Sequence, residues 1–347
     1  MRIGVITVQI PFIRGGAEIL TNGLVKAIRE AGHQVEEISM PFCFAPISEV
    51  KRSMDIWASE NFEYMNGYTM DLVICLKFPT FYLQHPNKVA WILHQHRAVY
   101  DLWDTPFAEG LSTTSDGKAL RQDIIQRDTQ ALKSFHKLFT IGKTVSKRLQ
   151  HFNKISSITL YHPPKLDTNF YNAPAEPYIF FPSRLEGLKR QDLLIKAMKY
   201  VKSPVVALLA GDGGQKMALK NLIDQLDVNQ RVRLIGRLSD AEMIGFYAHC
   251  LGVFFGSYDE DYGYVTLEAM LAAKPVITCN DSGEAVEFVI DQETGFVVNP
   301  EPAAIAQAID DLYFHQQSAV AMGMAGLERY RALNISWENV INKLLDK

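Results

Sequence analysis

Glu260 and Glu268 stand in the run Glu260-Asp-Tyr-Gly-Tyr-Val-Thr-Leu-Glu268, with seven residues between them. The run follows a strand-like segment and leads into a helix, so one carboxylate precedes the helix and the other lies inside it. Two acceptors placed in this way can hold different hydroxyls of one polar ligand. Gly263 falls near the helix N-terminus, where backbone N–H groups without helical partners and the positive dipole end favour an anion such as a diphosphate. A solvated helix face also carries spaced carboxylates, so the pair gains meaning only from what accompanies it.

Two other runs accompany it. Pro182-Ser-Arg184-Leu-Glu-Gly-Leu-Lys189 directly follows the strand-like Tyr178 to Phe181. Two cations at the carboxyl end of a strand, one of them a bidentate fork, suit phosphate oxygens; the bland reading is a pair of surface charges. Ala210-Gly211-Asp212-Gly213-Gly214 also lies between a strand and a helix, and its glycines let a ligand approach the backbone closely. Any tight turn between strand and helix favours glycine too. A fourth run, Trp91-Ile-Leu-His94-Gln-His96-Arg97, sets two histidines and an arginine at the end of another strand.

The elements that must position these residues follow one pattern, short apolar β-branched runs alternating with helix-period segments, as parallel sheets built from βαβ units require. Residues 3–8 predict a first strand and Ala17 to Ala31 a helix, with Leu20, Leu24, Val25 and Ile28 on one face and Gly32 as its stop. Strands at 72–76 and 89–93, a long helix from Gly117 to His136 and a strand from Leu138 to Ile141 complete a first α/β half. Tyr161-His-Pro-Pro164 and the polar run to Pro177 have the composition of a linker. The predicted domains are 1–168, with a last helix 334–347 packing back on it, and 169–333.

The second half predicts strands at 178–181, 205–210, 232–234, 252–255 and 275–278. Helices are expected at 191–200, 215–226 and 265–272, and at another opened by the capping box Ser239-Asp-Ala-Glu242. The fold class is therefore α/β, two doubly wound domains facing each other across a cleft, with ligands at the carboxyl ends of the strands.

Composition narrows the function classes. The chain has 347 residues, 48% apolar and 21% charged, enough for two cores of its own and unlike a disordered chain. No apolar stretch reaches the roughly 20 residues of a membrane span, and no leader is visible ahead of the first strand, so a cytoplasmic protein is expected. Four cysteines without C-x-x-C spacing suggest neither a zinc site nor a disulfide framework. A net charge of −4 argues against nucleic acid as a partner. The charge is uneven: 19 Lys and Arg face 16 Asp and Glu over 1–172, whereas 16 face 23 over the remainder. Residues 118–154 hold nine basic side chains against two acidic ones, a surface able to rest on an anionic membrane or to be no more than a solvated helix.

Taken in order, Arg184 and Lys189, Gly211-Asp212-Gly213, and Glu260 with Glu268 match the R-x4-K, G-D-G and E-x7-E motifs of a retaining GT-B glycosyltransferase. The chain resembles glycosyltransferase family 4, the glycosyl transferases group 1, most closely. Gly15-Gly16-Ala17-Glu18 is similar to that family's N-terminal glycine loop, Thr294-Gly295-Phe296 to its T-G-x turn, and Ser336-Trp337 to the start of its last helix.

The resemblance implies a GT-B fold of two Rossmann-like domains and a nucleoside diphosphate sugar as donor, with no metal or other cofactor. Arg184 and Lys189 would neutralise the diphosphate and the charge that grows on it as the sugar departs. Glu260 would bind hydroxyls of the transferred sugar and Glu268 those of the ribose. The backbone of Gly263, Tyr264 and Val265 would hold phosphate oxygens, and Gly15 and Gly16 would close over the donor from the other domain. Gly211 and Gly213 would belong to the donor loop, and the base would lie near Gly236-Arg237. A histidine after the strand at 89–93 is an active-site feature of the family; alignment to the strand end favours His94, leaving His96 as structural or as an acceptor contact.

Expected, then, is transfer of a hexose to a saccharide or lipid-linked acceptor in bacterial cell-surface polysaccharide or glycolipid synthesis, in the cytoplasm, with or without a peripheral contact to the inner face of the membrane. Two departures stand out: the family's E-(G/S)-F-G is Glu260-Asp261-Tyr262-Gly263 here, and Arg190 replaces the glycine usual after its lysine. Asp259-Glu260-Asp261 also fits the metal-binding D-x-D of GT-A enzymes, which lack E-x7-E. The alternatives are a GT-B sugar-nucleotide epimerase and a catalytically silent nucleotide-sugar-binding subunit. A nicotinamide-dependent dehydrogenase is disfavoured, since Gln9 to Glu18 lacks G-x-G-x-x-G.

Overall fold

The structure, a computed structural model, describes every residue except Arg14, Glu109 and Lys347, so the end of the expected last helix lies outside the described residues. The chain divides into two compact units, Met1–Lys165 with Ser336–Lys347, and Leu166–Ile335.

In the first unit a six-stranded sheet is built from β1 (Arg2–Gln9), β2 (Gln34–Pro41), β5 (Leu72–Cys75), β6 (Lys88–Ile92), β7 (Lys137–Thr140) and β8 (Ile158–Thr159), in the order β2-β1-β5-β6-β7-β8. All its pairings are parallel. Helices α1 (Gly16–Glu30), α2 (Ile47–Ser59), α3 (Ser115–Leu132) and α4 (Lys143–Asn153) connect the strands, and β3 (Tyr64–Met65) and β4 (Tyr68–Thr69) form a small hairpin. Every residue of β5 and β6 is buried, as the continuous apolar runs of a two-sided parallel sheet demand. Helix α3 stops at Leu132, short of the expected His136, because Phe135 and His136 already lead into β7.

The second unit repeats the scheme with β9 (Tyr178–Pro182), β10 (Val206–Ala210), β11 (Val232–Gly236), β12 (Gly252–Phe255), β13 (Val276–Cys279) and β14 (Gly295–Val298), ordered β11-β10-β9-β12-β13-β14. All its strand pairs are parallel. Helices α5 (Gln191–Ala197), α6 (Lys216–Gln225), α7 (Asp240–His249), α8 (Tyr264–Leu271), α9 (Glu284–Phe288), α10 (Pro302–Phe314) and α11 (Gln316–Ala332) surround it. Ser239 Oγ accepts from the Glu242 amide while Glu242 accepts from the Ser239 amide at 2.8 Å, closing the capping box of α7. Helix α5 ends three residues before the expected Tyr200, in a turn that takes Lys199 and Tyr200 to the surface.

In both sheets the strand order reverses beside the first strand of the unit, at β1/β5 and at β9/β12, which leaves a crevice at the carboxyl ends there. The last helix, α12 (Trp337–Leu345), is capped by Ser336 Oγ on the Asn339 amide at 3.1 Å and belongs to the first unit. The Trp337 indole lies against Gly23 of α1, where a Cβ would collide with it, and its ring is 6.4 Å from that of Trp91 on β6.

Candidate active site

The reversal point of the second sheet gathers the charged residues. Lys189 closes a single 3-10 turn, Gly187–Lys189, after β9; Glu260 lies in the loop after β12, the neighbour of β9. Lys189 Nζ donates to Glu260 Oε2 at 2.5 Å, and their side chains are 18% and 21% exposed. The ammonium also sits 5.5 Å from the centre of the Phe255 ring. A pair this short and partly withdrawn from water is worth more than one on an open surface, and it fixes an ammonium and a carboxylate side by side.

The Glu260 loop is framed from outside. The Glu284 amide donates to the Glu260 carbonyl at 2.9 Å, and Gly283, at φ +60°, presses so closely on the Glu260 backbone that any Cβ would collide with it. Gly263 then turns the chain into α8 in the left-handed conformation, φ +81°. Tyr264 and Val265 open α8, where the positive end of the helix dipole favours an anion.

Glu268 is four residues beyond Tyr264 and so shares its helix face. Tyr247 of α7 donates its hydroxyl to Glu268 Oε2 at 2.6 Å, fixing the carboxylate's direction. Burial pushes the Glu268 carboxyl above the usual carboxylate range, the Tyr247 hydrogen bond opposes this, and the Asp240 charge adds to it. Tyr247 is fully buried against Phe180, with ring centres 5.1 Å apart.

Gly211 and Gly213 stand where expected, but their neighbours give them a different physical reason. A Cβ on Gly211, at φ +133°, would run into the Ser183 carbonyl, and one on Gly213 would come within 2.5 Å of the Leu185 carbonyl. The Ser183 amide bonds to the Ala210 carbonyl and the Leu185 amide to the Asp212 carbonyl, each at 3.0 Å, and the Gly211 amide bonds to the Gly236 carbonyl at 2.7 Å. The close approach is thus made by the backbone on either side of Arg184, whose side chain is left exposed. Arg237 is 83% exposed, with Nε 3.7 Å from Asp212 Oδ2. Replacing Gly211 by alanine should destabilise the protein by on the order of 3 kcal/mol, through left-handed strain and the clash. Denaturant titration checks this, and an unchanged midpoint would refute it.

His94, Gly15 and Gly16 belong to the first unit. His94 follows β6, half-buried, with Nδ1 2.8 Å from the Gln95 carbonyl oxygen. His96 is 2% exposed among Phe42, Phe44 and Phe78, both ring nitrogens lack a hydrogen-bond partner, and burial pushes it down to about 4. It is a neutral core residue. Gly15 and Gly16 open α1, and the Gly15 amide donates to Glu18 Oε2 at 2.7 Å.

Behind His94 runs a buried network that no motif announced. Gln95 Nε2 donates to Asn153 Oδ1 at 2.7 Å, Asn153 Nδ2 reaches Thr129 Oγ1 at 2.7 Å and the Tyr100 hydroxyl at 3.4 Å, and Tyr100 donates to Asp128 at 2.8 Å. Tyr82 donates to the other Asp128 oxygen at 2.6 Å. Burial pushes the Asp128 carboxyl up to about 7 despite these two donors and the nearby Arg127.

Several basic residues of 118–154 are engaged within the unit. Arg127 pairs with Asp55 at 2.9 Å, Arg121 stacks over Trp103, and Arg148 is buried beside Asp101; Lys118, Lys133, Lys143, Lys147 and Lys154 are exposed. Among the described residues no group of three or more His, Cys, Asp and Glu side chains could hold a metal ion, and no helix is long and apolar enough to cross a membrane.

Residues 168–329 match the family model "Glycosyl transferases group 1". A GDP-mannose-dependent alpha-(1-6)-phosphatidylinositol monomannoside mannosyltransferase of Mycobacterium tuberculosis is 30% identical over 233 residues, 60% of this chain and 60% of the relative. The chain spans between 26% and 60% of the length of such curated relatives. Among solved structures, sucrose-phosphate synthase from Thermosynechococcus elongatus superposes with a TM-score of 0.79 at 19% identity, covering 99% of this chain and 96% of the other. Anabaena HepE in complex with UDP-glucose superposes with a TM-score of 0.69 at 18% identity, covering 99% and 98%. Residues 168–329 therefore form a glycosyl transferases group 1 domain, and the chain as a whole has the GT-B fold of two Rossmann-like units.

Proposed function

We propose that the chain is a retaining glycosyltransferase of family 4 that moves a hexose from a nucleoside diphosphate sugar to a hydroxyl acceptor without a metal ion. The observation that carries this reading is the Lys189–Glu260 pair at 2.5 Å beside the N-terminus of α8, with Glu268 on that helix. The names of the relatives add support: the Mycobacterium protein is GDP-mannose-dependent and HepE is held with UDP-glucose. A cation, helix amides and two carboxylates match a diphosphate flanked by two hydroxyl-rich sugars.

In this reading Arg184, Lys189 and the α8 amides receive the diphosphate. As the bond between the anomeric carbon and the phosphate oxygen breaks, negative charge collects on that oxygen and the cations stabilise it, an interaction stronger in the transition state than before it. The departing phosphate takes the acceptor's proton while the acceptor oxygen bonds to the same face of the sugar, so configuration is retained. Glu260 holds the transferred sugar and Glu268 the ribose. The product belongs to a bacterial cell-surface polysaccharide or glycolipid, made at the inner face of the membrane, where the exposed lysines of 118–154 meet anionic lipid. Co-sedimentation with anionic but not neutral vesicles supports that contact; equal behaviour contradicts it.

The test is incubation with UDP-, GDP- and ADP-sugars, with and without saccharide and lipid acceptors, followed by NMR of the product's anomeric centre. Transfer with retention, unaffected by chelator, is expected. Activity lost to chelator and restored by Mn²⁺ or Mg²⁺ contradicts metal independence. Conversion of a donor with no acceptor present identifies an epimerase, and binding without turnover a silent subunit. Glu268→Gln keeps a carbonyl for Tyr247 but removes the charge that ribose hydroxyls bond to, so donor KM should rise about tenfold to a hundredfold. Because the native carboxyl is raised, donor KM of the parent should climb on acidification at a pH above the usual carboxylate range, and that climb should vanish in the variant. An identical pH profile in both proteins would contradict the assignment.

A further inference from the structure

We infer that Arg190 is a positioning residue whose guanidinium fork holds Lys189 and Glu260 in register. The inference rests on the reading of that pair as the donor's contacts. Arg190 takes the place of the glycine usual in the family, and its backbone keeps the left-handed conformation, φ +51°, that glycine adopts without a side-chain penalty. A non-glycine residue persists there only where its surroundings hold it in place.

Here they do. Nη1 and Nη2 of Arg190 bond to Asp281 Oδ2 and Oδ1 at 2.8 and 2.6 Å, Nε bonds to the Gly256 carbonyl at 2.7 Å, and Nη2 reaches the Ser257 carbonyl at 3.4 Å. The side chain is 16% exposed and lies over the Tyr258 ring, 5.6 Å from its centre. Each partner leads to Glu260. Gly256 and Ser257 open the loop that carries it, and the Asp281 carbonyl accepts from the Asp259 amide at 2.9 Å. Asp281 also begins the turn whose Glu284 amide holds the Glu260 carbonyl. The Tyr258 amide in turn bonds to the Leu188 carbonyl at 2.8 Å, next to Lys189. One side chain therefore ties the turn bearing the ammonium to both stretches of backbone that set the carboxylate. A planar fork can do this; a lysine ammonium cannot.

The experiment uses Arg190→Gly, which suits the backbone angle and removes the fork, with Arg190→Lys and Asp281→Asn alongside. A double-mutant cycle of Lys189→Met and Glu260→Gln, read in denaturant unfolding, measures the coupling between the two residues in the parent and in each background. The coupling should be present in the parent, weakened by Asp281→Asn and near zero with Arg190→Gly or Arg190→Lys. Turnover of Arg190→Gly should fall by about tenfold to a hundredfold, as a small misplacement of a reacting group does. Undiminished coupling in these backgrounds would overturn the inference, as would parental turnover in Arg190→Gly. The unfolding cycle needs no substrate: a parent inert toward every donor would defeat the functional reading, while the cycle would still decide the role of Arg190.

Discussion

Replacing Lys189 with alanine is expected to lower turnover by about 10²- to 10³-fold, the loss typical when a preorganised charge donor is removed from a reacting oxygen. Donor KM should change much less, because Arg184 and the α8 amides still receive the diphosphate before the bond breaks. The fold should persist. The Lys189 side chain is 18% exposed and its partner Glu260 21%, so water can reach the carboxylate left behind, and the stability lost should lie between the ~1 kcal/mol of an exposed pair and the roughly 3 kcal/mol of a fully buried one. Steady-state kinetics with a saturating acceptor separate kcat from KM. Near-parental kcat would remove Lys189 from the chemistry, and a rise confined to donor KM would make it a binding group only.

Asp128→Asn should change how stability depends on pH. The native carboxyl is pushed up to about 7 by burial, far above its value in an unfolded chain. A carboxyl whose folded pKa exceeds the unfolded one gives most stability below the unfolded pKa, near 4, and loses it as pH rises through 7. A displacement of about 3 units corresponds to on the order of 4 kcal/mol across that window. Asparagine can still accept from Tyr82 or Tyr100 and carries no proton to lose. The variant's stability relative to the parent should therefore rise between pH 4 and pH 8 by up to that amount. Denaturant midpoints of both proteins at the two pH values check it, and a gap that does not move with pH would contradict it.

Much of the fold was legible because its strands are continuous apolar runs and its helices have a single apolar face. Residues 72–75, 206–210 and 252–255 could be read as strands since parallel sheets bury both faces. β2 was not: Gln34–Pro41 contains Glu36, Glu37 and Ser39, and as an edge strand it leaves most of its residues at the surface. The charged residues of the candidate site announced themselves through spacing within single runs. What stayed hidden are partners brought in from afar. Tyr247 reaches Glu268 across 21 residues, Asp281 reaches Arg190 across 91, and Asn153 reaches Gln95 across 58. No local periodicity encodes such pairs; the parallel order of the strands creates them.

The glycines of 211–213 show a different limit. Their presence said that two stretches of backbone approach closely, and the sequence alone left open whether the second belonged to a ligand or to the protein. It is the Ser183 to Leu185 backbone, so the motif acts by holding the loop that carries Arg184.

The most direct test of the whole account is a crystal structure of the chain with a bound nucleoside diphosphate sugar. Phosphate oxygens are expected against Lys189, Arg184 and the amides of Tyr264 and Val265, ribose hydroxyls on Glu268 and the hexose on Glu260. A nucleotide sugar seated elsewhere, with Lys189 and Glu260 still bonded only to each other, would contradict it.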